Sequence, residues 1–376
     1  MTAQAIDLFA GCGGLSTGLL DAGIAVKAGF DNNAASITAF DYNHVYRGCK
    51  GFVSDLAKVA SPILLEMAGI THQVDLLAGG PPCQPFSIAG KQLGMDDHRG
   101  ELVFKFVDIV GEIRPTAFFF ENVPNLARFD DGLVAEKLQS DLAALGYEVT
   151  ADIINAANYG VPQGRRRFII VGVPKGSKFE FPEPTHGEAA DLFSELKPYV
   201  TTSEAIGDLP DVTDPAAVDV PNHEPTMHGE KMLAAFRELK PGTRDKKYFH
   251  DRLHPDRVGY TLRAGSGNFS PLRPVHYKYD RVITVRESAR LQGFSDKFIW
   301  PDPLPRLQQY RQVGNAVPPP LAEAIGRQIA TCLGWETKPE ELAGLAETRP
   351  PAFFMTAEER HALRMERMRG ASLGLS

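Results

Sequence analysis

The chain has 376 residues, 43% of them hydrophobic and 23% charged, with a formal net charge of −7 at pH 7. This composition is typical of a globular protein and excludes a disordered or fibrous one, and the length allows one large domain plus a smaller one. No apolar run approaches the roughly 20 residues of a membrane-spanning helix, and the N-terminus has no secretory-signal pattern. We therefore expect a cytoplasmic protein without membrane contact.

From residue 5 to about 173, short runs typical of strands alternate with helical patterns. The strands are expected at 5–9, 24–30, 74–79, 116–121, 147–154 and 167–173. Helices are expected between most of them, for example at 15–23 and 101–113. This alternation predicts an α/β fold with a largely parallel sheet and helices on both faces.

After residue 173 the pattern changes. The stretch "PKGSKFEFPEPTHG" is rich in proline and glycine, and no clear alternation resumes until about 280, which predicts a second domain of irregular loops and short strands. A helix is expected to end near Gly293, and "GNAVPPPLAEAIGRQIATCLG" predicts a helix that begins with proline. The tail from about 337 is expected to be weakly ordered, with one helix in "TAEERHALRMERMRG".

The four cysteines are Cys12, Cys49, Cys83 and Cys332. They form no Cys-x-x-Cys pair, and no nearby histidines complete a zinc spacing. We therefore expect reduced thiols and no metal site.

The negative charge is unevenly distributed along the chain. Residues 237–290 hold thirteen Lys or Arg against six Asp or Glu, a local net of +7, so the rest carries −14. This asymmetry permits a basic face for nucleic acid on an otherwise acidic protein, although chance clustering on a solvated surface stays an alternative.

The stretch "DLFAGCGG" puts Gly11, Gly13 and Gly14 between the first strand and the first helix, where the backbone can turn sharply and approach a ligand closely. The dinucleotide fingerprint requires another glycine where this chain has Ser16, which weakens a phosphate-binding interpretation. Asp31, just past the second strand, is placed to accept hydrogen bonds from ribose hydroxyls. These features predict an adenosine-containing ligand that need not carry phosphates; a tight turn without a ligand is the alternative.

Three further motifs carry reactive groups. Cys83 stands between prolines after the strand 74–79, at the edge where ligands of open α/β sheets bind, and is a candidate nucleophile, although a lone cysteine is more often a buried apolar residue. Glu121 ends another strand, beyond four apolar strand residues, and is either a partly desolvated acid or a plain surface carboxylate. In "PQGRRRFII", the arginines from Arg165 to Arg167 lead into a buried strand, and at least one must face an edge unless all form a solvated turn.

The stretches "DLFAGCGGLSTGL", "GGPPCQPFS", "ENV", "PQGRRRFIIVG", "RESARLQGF" and "GNAVPP" occur in the order seen in DNA (cytosine-5)-methyltransferases. The resemblance covers residue 6 to about 333. It implies a Rossmann-like S-adenosylmethionine-dependent methyltransferase domain with a smaller, irregular β-rich target-recognition domain. The implied organisation is the first part of the catalytic domain at 1–185, the target-recognition domain and hinge at 186–311, a returning C-terminal helix at 312–336, and an extension of unknown role at 337–376.

The resemblance also implies a mechanism. Cys83 would attack carbon 6 of a cytosine flipped from the duplex into a cleft between two lobes, with rigid prolines fixing the direction of attack. Glu121 would hold or protonate ring nitrogen 3 and contact the exocyclic amine. Arg167 would contact Glu121 and the carbonyl oxygen of the base, and Arg165 is the other arginine of the family's Gln-x-Arg-x-Arg motif. Carbon 5 would then take the methyl group of S-adenosylmethionine, leaving S-adenosylhomocysteine, without a metal.

Binding residues carry over from the same motifs. The implied cofactor contacts are Phe9, Gly11, Gly13, Asp31 at the ribose, Asp55 at the adenine, and Pro82, Leu102 and Asn315 at the methionine end. The implied DNA contacts are Gln84 and Ser87 on the loop that closes over the flipped base, with Arg263 and Arg273 as candidates for guanine edges. The recognised sequence does not follow.

The expected partner is double-stranded DNA, bound by a monomer in the bacterial cytosol, in a restriction–modification setting that allows a cognate endonuclease acting on the same site. Three alternative functions are less well supported. The tRNA-methylating branch of the family usually carries "CFT" in its target region, which is absent here. A catalytically silent DNA-binding relative is expected to lack the cysteine or the glutamate, and a nicotinamide dehydrogenase is disfavoured by Ser16 and by Cys83 with its prolines.

Overall fold

The computed structural model describes residues 2–82, 98–188, 195–265 and 274–338, and these residues divide into two compact units. The first unit takes the described residues up to Tyr159, then Arg166–Pro184, and those from Ala316 onward. The second takes Gly160–Arg165 and the described part of Thr185–Asn315.

The first unit is built on a seven-stranded sheet. Its strands are β1 (Gln4–Leu8), β2 (Ala25–Asp31), β3 (Lys50–Val53), β4 (Leu76–Gly79), β5 (Ala117–Asn122), β6 (Tyr147–Asn155) and β7 (Arg166–Pro174). Its helices are α1 (Gly14–Asp21), α2 (Ala34–His44), α3 (Ser61–Ala68), α4 (His98–Ile113), α5 (Leu133–Ala144) and α10 (Pro319–Leu333), with short 3-10 segments at Val45–Arg47, Pro124–Gly132 and Ala156–Tyr159.

The strand order is β3-β2-β1-β4-β5-β7-β6. Strands β1 to β5 run parallel, whereas β7 is antiparallel to both β5 and β6. The chain therefore winds outward in both directions from β1 and β4, and the crevice at the carboxyl ends of these two strands is the usual ligand site of such a sheet.

The core explains why these segments form a central sheet. All six residues of β5, "AFFFEN", are buried, because the strand has neighbours on both sides and helices on the faces. Phe106 of α4 packs edge-on against Phe118 and Phe120, with ring centroids 6.3 and 5.3 Å apart. Helix α10 lies so close to α1 that a Cβ on Gly18 would be 2.3 Å from the carbonyl oxygen of Pro319. The proline-started helix thus belongs to the sheet-bearing unit.

The second unit has little regular structure among its described residues. Its short strands are β8 (His186–Gly187), β9 (Lys197–Pro198), β10 (Asp251–Arg252) and β11 (Pro274–Val275). Its helices are α6 (Thr202–Ile206), α7 (Glu230–Glu238), α8 (Val285–Leu291) and α9 (Arg306–Asn315), with a 3-10 segment at Pro215–Asp219. Helix α8 begins in a capping box, since the Thr284 hydroxyl accepts from Glu287 N and the Glu287 carboxylate accepts from Thr284 N.

The prediction of an α/β fold with a largely parallel sheet is confirmed, and so is the irregular texture after residue 173. Two features differ from the expectation. The sequence does not predict strand β3, and β5 continues one residue past Glu121, because Asn122 still pairs with Phe168 of β7. The expected tail helix lies outside the described residues. Within the described ranges, no helix has the length and apolar character needed to cross a membrane.

Candidate active site

The predicted reactive residues of the first unit gather at one edge of its sheet. The ends of β1, β2, β4 and β5 lie side by side, with Leu8 opposite both Phe30 and Gly79 in the register. Because β7 is antiparallel, its first residues reach the same edge as the last residues of β5. The order of the strands therefore brings the glycine loop, the Pro-Pro turn, Glu121 and Arg167 to a common edge.

The loop after β1 has an unusual backbone. Phe9 has φ +58°, which is rare for a bulky residue, and Gly11 and Gly13 have φ +57° and +93°. A Cβ on Gly13 would lie 2.3 Å from the ring of His44 and 2.8 Å from that of Phe40, so only glycine fits there. A Cβ on Gly11 would meet no atom within 4 Å, so the loop faces open space at this point.

Asp31, the last residue of β2, is hydrogen-bonded to this loop. Its carboxylate accepts hydrogen bonds from Gly11 N at 3.0 Å and Asn33 N at 2.8 Å. Burial raises the pKa of Asp31 above its ordinary value. The residue predicted to contact ribose hydroxyls thus lies against the predicted cofactor loop.

Beneath the loop is a buried polar pair that sequence reasoning did not find. The Ser16 hydroxyl donates to Asp7 Oδ2 at 2.6 Å, and both side chains are essentially inaccessible. Burial raises the pKa of Asp7 to about 7, although the hydrogen bond from Ser16 lowers it in part. Asp7 Oδ1 has no hydrogen-bond partner among the described residues. The residue that breaks the glycine fingerprint therefore has a structural use, bonding a carboxyl group nine positions earlier.

The turn after β4 is held by the end of β5. The Asn122 side-chain amide donates to the carbonyl oxygen of Pro81 at 3.1 Å, and Asn122 is only 2% exposed. A Cβ on Gly80 would lie 3.0 Å from Glu121 Oε2, so the carboxyl group touches the backbone of the same turn. Two neighbouring residues of β5 thus contact the segment that leads directly to Cys83. In the motif "ENV", the position of Asn122 directly after Glu121 is the sequence signal for this contact.

Glu121 and Arg167 form a buried ion pair. Glu121 Oε1 lies 2.6 Å from Arg167 Nε, and the two side chains are 9% and 10% exposed. Arg167 also donates from Nη1 to the carbonyl oxygen of Arg166. The pairing orients the carboxylate and leaves Oε2 directed toward Gly80. Such an arrangement can present one carboxyl oxygen to a polar ligand while a guanidinium stabilises its charge.

Arg165 lies in the second unit and is fully buried. Its guanidinium donates to the carbonyl oxygens of Leu262 at 2.9 Å and Gly314 at 2.8 Å. These bonds connect three distant segments of that unit and direct the side chain to backbone groups.

The remaining predicted residues are placed as follows. Asp55 is exposed beyond β3, where its carboxylate accepts from Lys58 Nζ at 2.8 Å, and this bond lowers the pKa of Asp55. Pro82 and Leu102 are half-buried in the first unit, whereas Arg263 is exposed in the second and Asn315 ends α9 there. Cys83, Gln84, Ser87 and Arg273 lie outside the described residues.

The three cysteines that the structure describes are reduced. Burial raises the pKa of Cys12 to about 12 and raises those of Cys49 and Cys332 above the ordinary value. Each is therefore held as a neutral thiol near neutral pH, which disfavours it as a nucleophile.

Much of the basic charge in residues 237–290 is used inside the second unit. Arg281 bonds both oxygens of buried Glu287 at 2.8 and 2.7 Å. Fully buried Arg286 donates to the carbonyl oxygens of Pro221, Ser295 and Phe298. The count of positive residues therefore overstates the basic surface.

The groups at the sheet edge fit S-adenosylmethionine, which carries ribose hydroxyls, an adenine and a positive sulfonium. The Asp31 carboxylate can accept from hydroxyls, Phe9 offers an aromatic ring, and the backbone at Gly11 faces open space. Carboxyl groups at this edge also suit a cationic ligand. Among the described residues, no cluster of three His, Cys, Asp or Glu side chains could hold a metal ion.

Comparison with known proteins gives a consistent result. The sequence matches the family described as C-5 cytosine-specific DNA methylase over residues 3–331. It is 34% identical over 387 residues to the Type II methyltransferase M.XorII of Xanthomonas oryzae, covering 93% of this chain and 90% of that protein. It is 35% identical over 344 residues to the Type II methyltransferase M1.HphI of Haemophilus parahaemolyticus, covering 88% and 87%.

Solved structures agree. A crystal structure assigned to a DNA modification methyltransferase of an E. coli prophage superposes with a TM-score of 0.73 at 26% identity, covering 89% of this chain and 100% of that one. Spodoptera frugiperda DNMT2 shares the fold, with a TM-score of 0.61 at 15% identity over 87% of this chain and 99% of that one. The sheet edge described above and these likenesses lead to one conclusion: the chain belongs to the family of C-5 cytosine-specific DNA methylases.

Proposed function

We propose that this DNA cytosine-5-methyltransferase acts through a covalent bond between Cys83 and carbon 6 of a cytosine flipped out of a short, specific double-stranded DNA sequence. The observation that carries the proposal is the buried Glu121–Arg167 pair, which lies against the turn that leads through Pro81 and Pro82 to Cys83. A carboxylate, a guanidinium and a following thiol are the groups that this chemistry requires.

The Cys83 thiolate forms the bond to carbon 6, and the electron pair of the carbon 5–carbon 6 double bond becomes available at carbon 5. Glu121 holds a proton at ring nitrogen 3, so negative charge does not build up on the base. Arg167 keeps the carboxyl group oriented and stabilises the carbonyl oxygen of the base. When bound, S-adenosylmethionine supplies an electrophilic methyl group. Water then takes the proton from carbon 5, the electron pair left behind restores the carbon 5–carbon 6 double bond, and the bond to Cys83 breaks to release the thiolate.

The choice of Cys83 gains support from the other cysteines. Burial raises the pKa of Cys12, Cys49 and Cys332, so none of these is a ready thiolate. Cys83 also directly follows a turn whose backbone is bonded to Asn122, and a nucleophile gains from such fixed placement.

Arg165 takes a different part in the proposal. Because its guanidinium bonds the carbonyl oxygens of Leu262 and Gly314, we assign it a positioning role rather than contact with the base. It would hold the segments that carry Arg263 and Asn315, the former a candidate for a guanine edge and the latter for the methionine end of the cofactor.

The cofactor would be held by a set of residues mostly in the first unit. They are Phe9, Gly11, Gly13, Asp31, Asp55, Pro82, Leu102 and Asn315. The DNA would meet Gln84, Ser87, Arg263 and Arg273, within a target-recognition region at 186–311. Since the curated relatives described above are Type II methyltransferases, a restriction endonuclease that cuts the same site is the expected partner.

The test is expression in a host that lacks cytosine methylation, followed by bisulfite sequencing of its DNA and tRNA. Wild type is expected to protect cytosines within one short DNA motif, whereas Cys83→Ser and Glu121→Gln are expected to protect none. Protection by Cys83→Ser equal to wild type would refute the nucleophile. Protection confined to tRNA would refute DNA as the substrate.

A further inference from the structure

Helix α2 packs against the sheet through one aromatic ring. A Cβ on Gly29 of β2 would lie 2.3 Å from the ring of Phe40, and a Cβ on Gly51 of β3 would lie 3.0 Å from it. Phe40 is fully buried, so its ring fills the space that these two glycines leave. The helix is thereby fixed against β2, the neighbour of β1, and its last residue, His44, is placed with it.

His44 is a fully buried histidine with both ring nitrogens in hydrogen-bond contact. Its ring lies on that of Phe40, with centroids 4.4 Å apart. Nδ1 lies 2.7 Å from the carbonyl oxygen of Phe40, and since a carbonyl only accepts, Nδ1 carries a proton. In the neutral ring Nε2 is then an acceptor, and it lies 2.9 Å from the hydroxyl oxygen of Thr17. A phenylalanine would fill a similar space, so packing alone does not require these two nitrogens.

Thr17 connects this histidine to the loop after β1. The Thr17 hydroxyl donates to the carbonyl oxygen of Gly13 at 2.8 Å, and Thr17 N donates to the same oxygen at 2.8 Å. The single hydroxyl hydrogen thus has two acceptors in reach, Nε2 of His44 and the oxygen of Gly13. The His44 ring also packs directly on Gly13, where a Cβ would lie 2.3 Å from it. His44 therefore holds Gly13 both by direct contact and through Thr17.

The same segment of the chain contacts the loop at a second point. Asp31 accepts a hydrogen bond from Gly11 N, two residues before Gly13. Asp31 ends β2, and α2 begins three residues later. One continuous stretch, from Asp31 to His44, therefore contacts the loop at both glycines. A shift of His44 would move Gly13 relative to Gly11, and with it the backbone that the cofactor is proposed to meet.

We propose that His44 is a positioning residue for the cofactor, which sets the shape of the S-adenosylmethionine loop through Thr17 and Gly13. The inference rests on the proposed function, since it takes this loop as the cofactor site. Neither His44 nor Thr17 is among the residues assigned to the cofactor above. Because His44 acts through Thr17 and Gly13 rather than on the reacting atoms, its effect is expected on cofactor affinity and not on the chemical step.

Three substitutions at His44 separate the link to Thr17 from packing. His44→Phe keeps a ring against Phe40 and loses both hydrogen bonds. His44→Gln places an amide near the position of Nε2 and keeps an acceptor for Thr17, whereas His44→Asn reaches only the position of Nδ1. The dissociation constant for S-adenosylmethionine is expected to rise by about 2- to 10-fold in His44→Phe and His44→Asn, the range for one neutral hydrogen bond. It is expected to change less in His44→Gln.

Thr17→Val tests the same link from the other side. Valine matches threonine in shape, lacks the hydroxyl and leaves His44 in place, so this variant also serves if His44→Phe does not fold. Cofactor binding is expected to weaken by a similar factor. The double variant His44→Phe/Thr17→Val is expected to bind about as weakly as either single variant, because the effects of two residues in one link are not additive.

Tyr147→Phe serves as the control. The Tyr147 hydroxyl donates to the carbonyl oxygen of Pro115 at 2.6 Å and Tyr147 is 7% exposed, so this variant also loses one buried hydrogen bond in the first unit. Tyr147 pairs with Pro174, the last residue of β7, and so lies at the sheet edge opposite to the cofactor loop. It is expected to bind S-adenosylmethionine as wild type does.

Full-length chains are titrated with S-adenosylmethionine by calorimetry in the absence of DNA, and thermal melts check that each variant is folded. Steady-state kinetics is expected to show a raised KM for S-adenosylmethionine in His44→Phe and Thr17→Val, with kcat and the KM for DNA at the wild-type values. If both variants bind the cofactor as tightly as wild type, or if Tyr147→Phe loses as much affinity, the inference is wrong and the proposed function stands. If wild type itself does not bind S-adenosylmethionine, the proposed cofactor site is refuted, and the role of His44 with it.

Discussion

Replacing Asn122 by alanine tests whether β5 positions the turn that leads to Cys83, the proposed nucleophile. The Asn122 amide is the donor to the Pro81 carbonyl, two residues before Cys83, and the pair is buried. Removing it leaves a buried carbonyl oxygen without this donor, which costs about 1–3 kcal/mol. Since about 2–4 °C is lost per kcal/mol in domains of 150–250 residues, the melting temperature is expected to fall by several degrees.

The larger effect is expected on the rate. If the freed turn lets the thiolate shift by about 1 Å, kcat falls roughly 100-fold, while KM for DNA changes little because Asn122 contacts only the protein. Single-turnover methyl transfer from labelled S-adenosylmethionine measures the rate, and a thermal melt on the same samples measures stability.

Asn155→Ala is the matched control. Its side chain accepts a local hydrogen bond from Ala157 N at 3.3 Å in the same unit, so it loses a comparable bond that does not reach the turn. It is expected to keep its kcat. If Asn122→Ala melts at a lower temperature but retains kcat within about twofold of wild type, the bond to Pro81 is structural only and the positioning argument is wrong.

Three further perturbations have definite signs. Arg167→Ala leaves the Glu121 carboxylate buried without its partner and is expected to lower the free energy of unfolding by about 3–5 kcal/mol in denaturant unfolding. Glu121→Gln keeps an acceptor for Arg167 and is expected to abolish methyl transfer with little loss of stability. Equal stability losses in the two variants would contradict this. Gly13→Ala is expected to destabilise more than Gly11→Ala in thermal melts, because both have positive φ but only at Gly13 would a Cβ lie 2.3 Å from a side-chain atom. Burial raises the pKa of Asp7 from 3.8 to about 7, so the folded state holds the proton longer than the unfolded state, and wild-type stability should fall as the pH rises from about 4 to 7 and level off above. Asp7→Asn removes this dependence, and unfolding at pH 5 and pH 8 should show the difference between the proteins changing by up to roughly 3 kcal/mol, about two pKa units at 1.36 kcal/mol each; a constant difference would refute the assignment.

The fold could be predicted because its signals are local. Strands β1, β2, β4, β5, β6 and β7 are runs of apolar residues bounded by glycine, proline or polar residues, and the alternation of the first five strands with helices favours their parallel arrangement. The sequence places the end of β5 at Glu121, one residue too early. The antiparallel pairing of Asn122 with Phe168 extends it, and a pairing between distant segments leaves no mark in the local pattern.

The site was predictable in its parts and not in its connections. The carboxyl-edge rule brings Asp31, Glu121 and the turn at Pro81 and Pro82 to one edge from chain order alone. The bond from Asn122 to Pro81 and the pair of Ser16 with Asp7 join residues whose types do not require each other. In the sequence, Ser16 indicates only that the glycine fingerprint is incomplete. Its hydrogen-bond acceptor, Asp7, lies inside strand β1, and nothing in the local pattern connects the two residues.

The basic segment shows why a charge count locates a nucleic-acid surface poorly. An arginine presents five donors in a planar fork, so it can replace several missing backbone partners inside an irregular unit, as Arg286 does with the carbonyl oxygens of Pro221 and Phe298. A lysine is more strongly hydrated and stays outside, as Lys246 and Lys247 do. In a unit with few strands and helices, the excess of arginine therefore supports the fold. Charge available to a polyanion is therefore better judged from the exposed basic side chains than from the net of +7 over residues 237–290.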